Sequence, residues 1–323
     1  MNAGHKILLF GALAAVAAGI CVAQYQRGTG RSGFRGGDGA GGPLVWTEGS
    51  GLVDEDTVRT ARETMSHSTS TPNWTNAPGF EKDVFTFARI IFKSNQSVGS
   101  EWGGRLRWLG WWVDYPDADL NFSYRLQQMT SLKLDPDCRV LKLTDPGLSD
   151  YPLIYMEHAG YMQLRDEEVD ALRKYLHNGG ALFMNDFWST QEWDGFEAQI
   201  ERVLPGCSWT NLPMSHPLFH CICDLKGPMN NLQVPTKQFW NPDYDPRDPG
   251  SQLQRVFRGE GSQDMHVRAW LDNKQRPMII AVHNSDISDG WEREGEDLDY
   301  FEQFSEKISY PLGINIVFYL MTH

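Results

Sequence analysis

The sequence predicts a three-layer α/β/α sandwich built on a mostly parallel central sheet, and three observations carry that expectation. From about Phe80 onward, segments rich in β-branched and aromatic residues alternate with segments of helical hydrophobic spacing. Two strand-like runs, Leu153–Glu157 (LIYME) and Ala181–Asn185 (ALFMN), are nearly continuous in apolar side chains, as strands covered on both faces require. Between them, Asp166–His177 sets Val169, Leu172 and Leu176 at helical spacing and stops at Asn178-Gly179-Gly180, a left-handed ending.

The other elements follow in chain order. Asp54 is a plausible N-cap for a short amphipathic helix carrying Val58, Ala61 and Met65, appended ahead of the Ser/Thr/Pro-rich stretch Ser66–Gly79. Val84–Phe92 (VFTFARIIF) reads as the first strand of the main domain. A helix capped by Asp117 or Asp119 places Phe122, Leu126 and Met129 on one face, and Arg139–Leu143 (RVLKL) is a further strand. Phe196–Val203 is expected as helix, Leu218–Asp224 and Met278–His283 as strands, and Ile308–Met321 as a closing apolar helix. Gln233–Ser262, crowded with Pro, Asp, Gly and Arg, is expected as a long surface excursion, functional or disordered.

Composition bounds the function. Hydrophobic residues make up 41% and charged residues 22%, which suffices for a core and excludes disorder of the whole chain. The net charge of −13, without a basic run in the globular part, disfavours nucleic acid as a partner. Residues 1–23 hold His5 and Lys6, then an apolar run from Ile7 to Ala23 ending in small residues, which reads as a cleaved signal peptide. An uncleaved anchor is the alternative, and membrane contact is expected only in that case. Residues 24–45 form a Gly/Arg-rich linker, and residues 46–79 lead into a main domain over 80–323. The expected location is exported, periplasmic or at the cell envelope. In that setting Cys207 pairing with Cys221 or Cys223 is permitted, while small buried hydrophobes are the blander reading of these thiols.

Several blocks resemble one family: FTFARIIF (Phe85–Phe92), WWVDYPDADLNF (Trp111–Phe122), YPLIYMEHAG (Tyr151–Gly160), LRKYLHNGGALFMND (Leu172–Asp186), HPLF (His216–Phe219) and GINIVFYLMTH (Gly313–His323). Together they are similar to the bacterial domain-of-unknown-function 4159 family, grouped with class I glutamine amidotransferase-like, flavodoxin-like domains. The resemblance implies a flavodoxin-like sandwich and a sharp elbow after the strand within Gly179–Trp188. In the amidotransferases that elbow carries a nucleophilic Cys; here it reads Met184-Asn185-Asp186-Phe187. Without Cys or Ser, amidotransferase chemistry is not carried over.

In open α/β sheets the ligand crevice lies beyond the carboxyl ends of the strands. Candidate ligand-binding residues there are Glu157 and His158, Asn185 and Asp186, and the group His283, Asn284 and Asp286. Asp114 joins them, with Arg105 or Arg107 as possible ion-pair partners. Trp111 and Trp112, in a segment with Trp102 and Trp108, would suit sugar rings or a protein partner if exposed, although burial against the sheet is their ordinary use. His216 and His220 default to structural roles.

Three functions remain open at this level: a non-catalytic module binding a ligand or protein partner, a hydrolase using strand-end carboxylates and imidazoles with or without a metal, and an envelope glycan binder. The second needs Glu157 or His158 within about 6 Å of Asp186, where charges shift each other's pKa. No catalytic residue, metal ligand set or cofactor is identifiable. Asp186 is expected to be dispensable for folding.

Overall fold

One sheet has seven strands, five of them expected from the sequence: β1 (Ala88–Ile91), β2 (Arg139–Lys142), β3 (Leu153–Glu157), β4 (Ala181–Asn185), β5 (Trp209–Asn211), β6 (His266–Leu271) and β7 (Pro277–His283), of which β5 and β6 were not foreseen as strands. The structure, a computed structural model, describes residues 44–47, 51–79, 83–94 and 110–323. The signal-like segment, most of the Gly/Arg linker, and Trp102, Arg105, Arg107 and Trp108 lie outside the described residues.

Strand order across the sheet is β2-β1-β3-β4-β7-β6-β5. Neighbours from β2 to β7 are parallel, and β6 runs antiparallel to both β7 and β5. The first four strands thus have the 2-1-3-4 order of flavodoxin-like sheets. Its topological switch point lies between β1 and β3, where the chain reverses its direction of winding. Helix α1 (Asp117–Met129) packs with α4 (Tyr310–Thr322), while α2 (Asp166–His177) packs with α3 (Ser189–Val203), completing a three-layer α/β sandwich.

Local chemistry explains most boundaries. Every residue of β3, β4 and β7 is buried, as their continuous apolar runs require. Helix α2 carries three acids in its first turn and ends before Gly179, whose φ of 105° is open to glycine without steric penalty. Between α1 and the sheet, Trp291 stacks on Phe122 at 4.2 Å and touches the rings of Phe87, Tyr155 and Phe183. Such rings bury large apolar areas and favour offset or edge contacts.

Some expectations are corrected. The stretch from Asp54 is a turn followed by a 3-10 turn at Ala61–Glu63, because Asp54 Oδ1 accepts from Asp56 N and Thr60 is extended. Leu218–Asp224 is not a strand: Pro217–His220 is a 3-10 turn, entered from His216, whose ring accepts from Leu218 N. The first strand is shorter than predicted, and α3 starts seven residues earlier, at Ser189. The closing helix is preceded by a π-helical stretch, Phe301–Ser309. Met129 is exposed, so of the three predicted anchors of α1 Phe122 and Leu126 are buried and Met129 is not. Cys207, Cys221 and Cys223 are free thiols, with no disulfide formed. No described helix is long and apolar enough to cross a membrane.

Candidate functional site

At the carboxyl end of β3 the chain turns sharply, and the same happens after β4 and β7. His158, Asp186 and Asn284 follow those strands with φ of 52°, 51° and 61°, and Asp114, just before α1, has φ of 58°. Left-handed backbone is uncommon outside glycine and costs of order 1 kcal/mol or more, so four buried polar residues held there are a built feature.

Two polar networks result. In the first, His158 Nδ1 lies 2.9 Å from Asp186 Oδ2, and Trp188 Nε1 donates to Asp186 Oδ1 at 2.8 Å. Arg258 stands over the Trp188 ring and 3.8 Å from Asp186. Burial alone would raise the Asp186 pKa, but the bond to His158 and the charges of His158 and Arg258 hold it below the usual carboxylate range. Burial opposes charge on His158, yet Asp186 lifts it above the ordinary imidazole value. His158 Nε2 is buried without a hydrogen-bond partner.

In the second, Asn185 Nδ2 donates to Ser288 Oγ at 2.7 Å, and Ser288 Oγ lies 2.9 Å from Glu157 Oε1 and 3.1 Å from Asp286 Oδ1. One hydroxyl carries one proton, so the other carboxyl contact calls for a carboxylic acid. Burial agrees: it pushes Glu157 up to about 8 against the opposing charge of Arg89, and burial and the charges of neighbouring acids, Asp186 first, raise Asp286. Tyr155 also donates to Glu157 Oε2.

The sequence-predicted residues sort as follows. Glu157, Asn185 and Asp286 meet at Ser288, and His158 meets Asp186 well inside the 6 Å that acid–base coupling needs. His283 and Asn284 do not join them. His283 lies 3.0 Å from Arg268 Nη1 and 2.9 Å from Ser189 O, and burial with that charge pushes it down to about 3. Asn284 bonds Ser189 N and the carbonyls of Gly261 and Asp264. Trp111 and Trp112 are buried, Trp111 donating to Glu55 at 2.7 Å, so neither offers a face to a sugar. Asp117 and Asp119 are not side-chain caps: Asp117 accepts from the Ser66–Thr69 turn, and Asp119 pairs with Arg89 at 2.8 Å. Asp186 is a poor choice for a dispensable residue, since two buried donors rest on it.

Reading the sequence missed several contributors. Arg89 lies buried in β1, binds Asp119 and the carbonyls of Trp111 and Val113, and stands 3.8 Å from Glu157. A lone charge within the apolar run FTFARIIF was its signal. Asp289 and Glu292, in a single helical turn, lie with Asp114 so that one oxygen from each is within 4.8 Å of the others. Their signal was Asp286, Asp289 and Glu292 at three-residue spacing. The excursion 233–262 packs against the start of α3, with Thr190 N donating to Glu260 O at 2.8 Å. Two clefts of about 200 and 160 Å³ open elsewhere, and no strand-end candidate lines either.

No curated protein matches the chain. A family model described as a domain of unknown function (DUF4159) matches residues 105–321, which include α1, all strands from β2 to β7 and both polar networks. On that match, covering most of its length, the chain belongs to the DUF4159 family.

Proposed function

We propose that this is an exported binding domain that takes a small polar ligand at the carboxyl ends of β3 and β4 and does not transfer acyl groups. The carrying observation is the His158–Asp186 pair: the carboxylate fixes the ring through Nδ1, leaving Nε2 buried and without a partner. A buried polar atom left unpaired costs about 1–3 kcal/mol, so a ligand that pairs with it gains that amount. Asp186, at the elbow position, has both oxygens engaged and is not placed to attack a carbonyl. The 2-1-3-4 strand order and the left-handed residue after β4 support kinship with the glutamine amidotransferase-like group, with the nucleophile replaced. The N-terminal apolar run supports export.

A thermal-shift screen of the full chain with sugars, nucleotides, amines and carboxylates tests the reading, because a ligand preferring the native state raises its melting temperature. His158→Asn keeps a donor toward Asp186, tolerates the left-handed backbone and removes the Nε2 face. Any stabilising ligand is expected to lose its effect in this variant. An undiminished shift, or a covalent acyl adduct found by mass spectrometry, overturns the reading.

A second reading, acid–base hydrolysis, is favoured by one observation. The environment drives Glu157 up to about 8 and Asp186 below its usual value, and carboxyls pushed apart in this way serve as acid and base. Hydrolysis lost in both Glu157→Gln and His158→Asn, with a bell-shaped pH profile, would establish it.

A further inference from the structure

We infer that Asp114, Asp289 and Glu292 form a binding site for one hard divalent cation, of the Ca²⁺, Mg²⁺ or Mn²⁺ class. All three are buried, and one oxygen from each lies within 4.8 Å of the other two. Opposite oxygens around Ca²⁺ stand about 4.6–5.2 Å apart, twice the ordinary bond length, so the cluster spans one ion. An all-oxygen donor set selects hard cations over zinc or copper.

Carboxylates crowd together for many reasons, and a second observation separates this group from those. Asp114 Oδ2 is buried, on a residue 8% exposed, and has no hydrogen-bond partner. The other two carboxylates are anchored. Arg293 Nε lies 3.0 Å from Asp289 Oδ1 and 2.7 Å from Glu292 Oε2. His67 Nε2 is 2.7 Å from Glu292 Oε1, and Lys237 N donates to Asp289 Oδ2. These hydrogen bonds and the ion pair between Arg293 and Glu292 fix the two side chains while each oxygen keeps a further lone pair. Arg293, and His67 beside Glu292, face a group of three acids, and Asp286 adds to the negative surroundings of Asp114. Burying that much negative charge is costly, and a cation offsets it. The enclosed position fits an ion better than a larger ligand.

The cluster shares no residue with the His158–Asp186 pair. Titration of the chelator-treated full chain with CaCl₂, MgCl₂ and MnCl₂, against NaCl at matched ionic strength, tests it. We expect at least one ion to raise the melting temperature and to bind at one per chain. Asp114→Asn, a residue that accepts the same backbone, should weaken that ion at least tenfold, whereas Asp166→Asn, a fully exposed carboxylate, should not. Should Asp114→Asn fail to fold, Mn²⁺ uptake by the wild-type chain, followed by loss of the free-ion paramagnetic resonance signal, decides. Absence of stoichiometric uptake of any of the three ions, or equal affinity in Asp114→Asn, overturns the assignment.

Discussion

Asp186 sits where the resemblance implied an elbow, and its surroundings say what it does there. It accepts from His158 on one oxygen and from Trp188 on the other, both within a buried site. Removing one partner of a buried pair leaves the other uncompensated, at about 3–5 kcal/mol. Asp186→Ala is therefore expected to cost that much in chemical denaturation, and Asp186→Asn, which keeps an acceptor for Trp188, distinctly less. Equal losses in the two variants would mean that the ring of His158 is held by something else. At this scale the candidate site was half legible in the sequence. Glu157, His158, Asn185, Asp186 and Asp286 are polar residues at the ends of apolar strands, a position visible in one dimension. Ser288 was not, and Asp289 and Glu292 showed only as a three-residue spacing with Asp286, too short a run to mark a helix. Which of His283, Asn284 and Asp286 faces the crevice depends on the turn after β7 and not on spacing.

Among the elements, α3 packs closely against the turn after β3. Gly195 in that helix comes so close to the turn after His158 that an added Cβ would lie 2.5 Å from Gly160 O, a backbone atom. Gly195→Ala is thus expected to destabilise by about 1–3 kcal/mol, despite the better helix propensity of alanine. An unchanged or raised midpoint of unfolding would show that α3 moves away from the turn freely. The elements best foreseen, β3, α2 and β4, are those whose hydrophobic pattern and stop signals lie within their own residues. The failures share a different cause. Asp54 was read as a cap, but its side chain closes a turn on Asp56, and Leu218–Asp224 has apolar content without the extended backbone a strand needs. In both, local hydrogen bonds outweigh a short hydrophobic pattern.

Across the whole molecule, buried acids couple stability to pH. Glu157 is the clearest case, faced by Arg89, Tyr155, Asp186, Asp286 and Asp114. Its folded-state pKa of about 8 lies above the ordinary carboxyl value of 4.5, so between those values the native state holds a proton that the unfolded chain has released. Stability falls as pH rises through that window, by roughly 1 kcal/mol per pH unit for this group. Denaturant midpoints are expected to drop from about pH 5 to about pH 8, and Glu157→Gln should flatten the slope. A slope unaltered in that variant would place the proton elsewhere.

The central claim is that Asp186 holds His158 by Nδ1 and leaves Nε2 for a ligand. Side-chain nitrogen NMR of His158, followed from about pH 6 to about pH 10, spanning the usual imidazole range and beyond, tests this most directly. The account predicts a titration displaced above that of a free imidazole, with the neutral ring keeping its proton on Nδ1. A neutral ring protonated on Nε2, or a titration at or below the ordinary value, would contradict it.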